Sequence, residues 1–347
     1  MLTEKRLSWK TVPLLLIGLL VFFLYLYFLG LGKIVDSLQS TNLVFYSLTF
    51  IVVALDMLFY SLAWLYFLRP LSVKASLKDV FIFTWIGNFV DILVPAESIS
   101  GEISKAYLMS KSSGGNSGKV VASVVSHRIL NMTITLTGLI IGSLLFIVNY
   151  PLVISGFALI FLLFVTVGTA IAVVFLIIVC TKESMTERLS DWILRFVKFV
   201  SRGRWQLTNL RSRTREMLRA FHQGIKILGK NPKVLVLPVV FTIAAWSFNL
   251  LVPLLVFVSL KYPVSLSVII IVYSLSFAVR AIPIGVPGDV GLAESVMMGF
   301  YIMLGVPSNI SAAATILTAI STIGFKLLVG YLAVHWVGAK ILTGNKR

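Results

Sequence analysis

Residues 80–109 read VFIFTWIGNFVDILVPAESISGEISKAYLM. The segment is apolar up to Val94, then interrupted by Pro95 and Gly101, with Asp91, Glu97 and Glu102 gathered around the interruption. Proline has no N–H to give to a helix and clashes with the preceding turn, so the helix stops or kinks there. Crossing the ~30 Å hydrocarbon core of a bilayer takes about 20 apolar residues. Neither arm of this stretch is that long. How a broken stretch sits among full-length spans decides the fold.

The surrounding runs leave no doubt about the solvent. Segments 13–31, 43–68, 120–148, 151–180, 234–260 and 310–337 are long and apolar. The chain of 347 residues is 58% hydrophobic and only 12% charged, against roughly 25% charged in soluble domains. Backbone polar groups in lipid must be satisfied internally, so these runs are helices. They do not alternate apolar and polar residues, which argues against a transmembrane β-barrel. A second broken stretch, 268–304, is interrupted by Pro283, Gly285, Pro287, Gly288 and Gly291.

The net charge of +17 reads as topology rather than nucleic-acid binding, because Lys and Arg collect in cytoplasmic loops. From Lys182 to Lys233 there are 13 basic residues against four acidic ones. With a cytoplasmic amino terminus, this segment falls inside only if 80–109 enters and leaves on the same side. The same parity makes 268–304 a hairpin entered from outside, and it leaves Lys346 and Arg347 inside. Pairs of short spans would satisfy the parity equally. Within the basic segment, Leu189, Ile193, Phe196 and Val200 share one helical face, as do Leu210, Thr214, Met217, Phe221, Ile225 and Leu228. These stripes predict helices lying in the membrane interface with the apolar face toward lipid.

A repeat follows: span, broken hairpin, span, in opposite orientations. The expected organisation is an all-α integral membrane protein with about six full spans and two opposed re-entrant hairpins. An anchor span occupies 1–42, the first repeat 43–149, and a linking span 150–181. A basic amphipathic cytoplasmic segment occupies 182–233, the second repeat 234–338, and a cytoplasmic tail 339–347.

Ionisable residues inside such spans are costly and mark candidate sites. The first break offers Asn88, Asp91, Glu97, Glu102 and Lys105; the next span offers His127, Arg128 and Asn131. The second break offers Arg280, Asp289 and Glu294, and the last span Lys326. Each new helix after a break, near Ser100 and near Asp289, presents unpaired N–H groups that suit a phosphate. Guanidinium groups at Arg128 and Arg280 suit it further through bidentate bonding. The competing reading is that these groups pair internally, Glu102 with Lys105 at i,i+3 for example. His127 is a candidate proton switch, although a packed neutral histidine accounts for it as well. Asp56 reads as structural.

Enzymatic motifs are absent from the sequence. Gly114 to Val120 reads GGNSGKV and lacks both the first glycine and the final hydroxyl of a phosphate loop. Cys180 is the single cysteine, and His127, His222 and His335 are scattered, so no disulfide or metal pattern arises and no cofactor is expected. The first run has no small-residue cleavage site, so it reads as a retained anchor.

Taken in order, Gly87-Asn88, Pro95, Gly101-Glu102, Lys105, Tyr107-Leu108, Arg128, Ala281-Ile282-Pro283, Pro287-Gly288, Gly291 and Glu294 resemble the flippase-like family typified by the transmembrane region of lysylphosphatidylglycerol synthase. The resemblance covers nearly the whole chain. It implies movement of an anionic or aminoacylated phospholipid, or of a polyprenyl-linked glycan, between leaflets. The soluble synthase domain has no counterpart, so lipid lysylation is not expected. Compared with the family, Lys105 stands where Arg is usual, and His127 and Asn131 replace acidic residues. The expected function is therefore a flippase in the cell membrane, both termini cytoplasmic, its partners anionic membrane lipids. A second copy or an enzyme of lipid or glycan synthesis is the protein partner left open. Two other classes remain: a membrane-embedded enzyme or enzyme subunit acting on lipid phosphate or lipid-linked sugar, and a secondary transporter of a small solute.

Overall fold

The computed structural model describes residues 31–94, 99–114, 117–149, 156–188, 192, 208–280 and 291–344. Side chains are outside that description at a few helix ends, Arg280 among them. Pro95, Glu97, Pro283, Pro287, Gly288 and Asp289, and most of the first expected span, also lie outside the described residues.

The described chain is helical: α1 (Leu31–Gln39), α2 (Leu43–Leu68), α3 (Leu77–Leu93), α4 (Ser100–Ser113), α5 (Ser117–Asn149) and α6 (Gly156–Thr181), then α7 (Thr208–Lys230), α8 (Val236–Ser259), α9 (Leu266–Arg280), α10 (Leu292–Met303), α11 (Ser308–Ala319) and α12 (Phe325–Gly344). A π turn, Ile320–Gly324, joins the last two into one continuous helical span. Local chemistry sets the ends. Asn42 starts α2 by accepting the Val44 and Phe45 N–H groups at 3.0 and 3.4 Å, and Ser76 starts α3 by accepting the Asp79 N–H at 3.1 Å. Gly114, at φ 58°, ends α4 in the left-handed region.

Five helical segments are long and apolar enough to cross a membrane: Leu43–Leu71, Ser117–Val148, Leu162–Thr181, Pro232–Ser259 and Ser308–Gly338. This is a multi-pass membrane protein. All five match runs expected from sequence. Their lipid-facing sides are bare of partners, as Phe164, Ile171 and Val174 on α6 illustrate at more than half exposure. The helices on either side of the two interruptions are shorter. α3 has 17 residues and α4 has 14; α9 has 15 and α10 has 12. At 1.5 Å per residue they reach only about 18–26 Å.

The packing scheme uses equivalent pairs. Helix α3 folds onto α4, and α9 onto α10. Helix α5 packs along α9, and α12 packs along α3. The most extensive contact joins α2 to α8, where Phe59 lies 5.2 Å from Phe248 and 6.0 Å from Phe241. Small residues permit close approach: a Cβ on Gly330 would stand 2.6 Å from the Phe89 Cβ. One buried cluster gathers Trp64, Phe67, Leu68, Val120, Val124 and Phe221; another gathers Phe257, Ile271, Leu275, Tyr301 and Ala313.

Part of the apolar stripe expected on α7 packs on protein: Phe221 and Leu228 are buried, with Ala220 beside them, and Gly224 sits on Ala122 of α5, while Met217 of the same stripe is exposed. The physical reason is that α5 extends beyond its apolar length, and its first turns offer a small-residue face at Gly118 and Ala122 for α7 to cover. The other stripe, around Leu189 to Val200, lies outside the described residues. On the exposed side, Lys226 bonds Glu183 at 2.7 Å. That ammonium, beside it in solvent, holds the Glu183 carboxyl below its usual range.

Candidate functional site

The interrupted helices meet the long ones around a cavity of about 250 Å³. Two walls of different chemistry enclose it. The first carries charge and comes from α2 to α5, with Asp56, Asp91, Glu102, Lys105 and Arg128. The second is mostly aromatic and neutral and comes from α8 to α11 and the π turn before α12, with Trp246, Asn249, Tyr273, Phe277 and Tyr301. Lys326, one residue into α12, adds a cation at its edge.

Each acid of the charged wall is engaged. Glu102 and Lys105, one turn apart on α4, form an ion pair at 2.9 Å. The Lys105 ammonium also lies 5.1 Å from the Tyr60 ring and 5.4 Å from the Trp64 ring, where the negative ring faces favour it. Tyr60 donates to Glu102 at 3.4 Å. Asp91, near the end of α3, reaches across the interruption and accepts the Ser100 hydroxyl at 2.8 Å and the Gly101 N–H at 2.6 Å. It caps α4 from outside, where the preceding residue, Ile99, has no side-chain group to do so. Asp56 of α2 faces Lys326 at 3.6 Å. Lys326 is presented by the π turn, an irregularity that re-aims the side chains after it.

Arg128 differs. It lines the cavity from α5 and has no carboxylate partner among the described residues. With Glu102, Asp56 and Asp91 committed to Lys105, Lys326 and the α4 terminus, its charge is the one left for a ligand among the described lining groups.

The sequence candidates thus divide. Asn88, Glu102, Lys105 and Arg128 come together on one cavity, Asn88 donating to the Thr84 carbonyl at 3.0 Å. Glu294 is buried in the start of α10, accepting the Gly291 N–H at 2.7 Å. It serves as the cap of that helix, which begins at Leu292, and is not among the lining residues. His127 is buried and is not among the lining residues: its ring packs at a tilt against those of Tyr60 at 4.2 Å and Phe67 at 5.9 Å. Gly101 is a close-approach point. A Cβ there would strike the Asp91 carboxylate and the Gly87 carbonyl. Asp289 and the Arg280 side chain lie outside the described residues.

Sequence reasoning missed the neutral wall. Trp246, Tyr273 and Tyr301 look in sequence like any aromatics in apolar spans. The only local signal was Pro253 inside α8, which denies the Asn249 carbonyl its helical donor.

The family described as the lysylphosphatidylglycerol synthase TM region matches residues 12–330. The chain belongs to that family. Its relatives include a UPF0104 membrane protein of Methanothermobacter thermautotrophicus, 25% identical over 96% of this chain and 97% of the relative. A UPF0104 membrane protein of Methanocaldococcus jannaschii is 24% identical over 94% of each chain. One from Pyrococcus horikoshii is 23% identical over 94% of this chain and 96% of the relative. Membership in the transmembrane-region family extends over both walls of the cavity, so the charged and neutral halves belong to one family unit.

Proposed function

We propose that this protein is a lipid flippase without ATPase machinery, moving an anionic or aminoacylated phospholipid or a polyprenyl-linked glycan between leaflets. The observation that carries the reading is a cavity among the membrane helices, lined by charged groups, in which Arg128 has no carboxylate partner among the described residues. A headgroup phosphate is the ligand such a guanidinium takes, while the acyl chains stay in lipid.

The two interrupted stretches are re-entrant hairpins of an inverted repeat that opens the cavity to alternate leaflets. The short lengths of α3, α4, α9 and α10 and the equivalent helix pairs support this. Both termini are cytoplasmic, on the charge argument above. The α4 terminus is occupied by Asp91, so the phosphate is held by side chains, with Arg128 central; Arg280, whose side chain lies outside the described residues, is the second guanidinium the sequence offers. Membrane-enzyme chemistry has less support, since His127 is packed among aromatic rings rather than in the lining.

The test is reconstitution in liposomes with fluorescent anionic lipids and a lipid-linked sugar. Accelerated movement of a chemically unchanged lipid, lost in Arg128→Ala, supports the reading. Chemical conversion of the lipid, or rates equal to those of empty liposomes, contradicts it.

A further inference from the structure

We infer that Lys326 is a second cation for the headgroup phosphate, joining Arg128, and that Asp56 is the counter-charge that lets the phosphate leave again. This rests on the flippase reading and adds to the ligand set of the same cavity.

The two ion pairs on the cavity differ in geometry. Glu102 and Lys105 stand one turn apart on α4 at 2.9 Å, and the lysine side chain is only 4% exposed. Asp56 and Lys326 come from α2 and α12, and 3.6 Å separates them, beyond the length of about 2.7–3.2 Å of an ordinary N–H···O hydrogen bond. Here the acid is the sealed partner, at 4% exposure, while Lys326 keeps 18% of its side-chain surface and lines the cavity. A pair that only cancels charge inside a membrane protein gains from a short, closed contact. This one is long, and its cation is accessible. An ammonium carries three N–H donors on a flexible stem. It can therefore keep Asp56 and turn a donor to a second anion.

The backbone before Lys326 is unusual at the same level. The π turn Ile320–Gly324 precedes it by one residue, and Thr322 and Ile323 of that turn also line the cavity. Such turns are rare and occur in α-helices mostly at functional sites. An ionisable residue in a span is costly as well, so two expensive features coincide on the cavity. Arg128 lies on α5 and Lys326 on α12. A phosphodiester has two unesterified oxygens, one for each cation. Two cations alone would hold it tightly, and a mover must release it. The Asp56 carboxylate beside one of them repels the phosphate and weakens that hold.

Binding and movement are measured separately on the full-length protein. Native mass spectrometry in detergent follows phosphatidylglycerol, a polyprenyl-phosphate hexose, and diacylglycerol, which has chains and no phosphate. Soluble glycerol 3-phosphate is a fourth arm. Lys326→Met alone strands Asp56, so the deciding variant is Asp56→Asn with Lys326→Met, which removes both charges and should unfold near the native temperature. It should bind phosphatidylglycerol about tenfold or more weakly than the native protein, the worth of one charge-assisted contact, with diacylglycerol unaffected. Lys326→Arg should retain most of the binding. Asp56→Asn alone should tighten binding of the phosphate lipids by about threefold or more, because no carboxylate shares the ammonium. In proteoliposomes it should lower both the half-saturating lipid content and the maximal rate, a split that loss of structure does not produce.

Native-strength phosphatidylglycerol binding by the folded double variant overturns the inference and leaves the flippase reading standing on Arg128. Weaker binding in Asp56→Asn overturns the role of Asp56. Preference for glycerol 3-phosphate over both phosphate lipids overturns the lipid headgroup as the source. Selective loss of binding in the double variant, with no lipid movement by the native protein, overturns the flippase reading and sustains Lys326 as a phosphate ligand.

Discussion

Helices α4 and α10 both begin at an interruption and both face the problem of unpaired N–H groups inside a membrane protein. Helix α4 is capped by Asp91, which comes from α3 on the other side of the break. Helix α10 is capped by its own Glu294 on Gly291. The first solution ties two helices together and places its carboxylate on the cavity; the second is local and keeps its carboxylate buried. The same asymmetry runs through the walls. The half that contains α4 contributes most of the charge, and the half that contains α10 contributes the neutral, aromatic surface. Equivalent helix pairing does not require equivalent chemistry: packing constrains small and apolar residues at contacts, while cavity-facing positions can diverge.

That contrast can be broken at several points. The largest effect is expected at the buried ion pair of the charged wall. Glu102→Ala leaves Lys105 buried without its carboxylate and should cost about 3–5 kcal/mol, as removal of one buried partner does. Thermal unfolding in detergent checks this, and the double variant Glu102→Gln with Lys105→Met should recover much of the loss. Next comes the close approach at the first break. Gly101→Ala drives a methyl group into Asp91 and the Gly87 carbonyl and should cost about 1–3 kcal/mol. Gly156→Ala, with open space around it, should be neutral in the same assay. The local cap is worth less: Glu294→Ala should destabilise by about 1 kcal/mol, with little effect on the charged wall. The smallest effect belongs to the exposed pair. Lys226→Ala should leave the unfolding midpoint unchanged, because solvent-exposed ion pairs contribute little. It should also let the Glu183 carboxyl titrate nearer its usual range, as measured by NMR.

Much of this was legible in sequence, and the exceptions have physical causes. The long runs between Leu43 and Val337 announced themselves by composition. Asn88, Glu102, Lys105 and Arg128 stood out because charge and amide groups are costly in lipid, and all four line the cavity. The pairing of Asp91 with Gly101 was hidden, since it depends on how two arms close across an interruption. Asp56 read as structural, and only the fold shows it facing Lys326 across the two halves. Trp246 and Tyr301 could not be told from lipid-facing aromatics, because which side of a helix meets a cavity is decided by its neighbours. The stripe on α7 was legible as amphipathic, but not that α5 would cover it.

The central claim is that Arg128 receives a phosphate headgroup and that the cavity moves it. The direct measurement is the translocation rate of a fluorescent anionic lipid in proteoliposomes containing the native protein, Arg128→Lys or Arg128→Ala. The native rate should exceed that of empty liposomes, Arg128→Lys should retain part of it, and Arg128→Ala should fall by about tenfold or more, the worth of a lost charge-assisted contact. A folded Arg128→Ala variant that moves the lipid at the native rate would contradict the account.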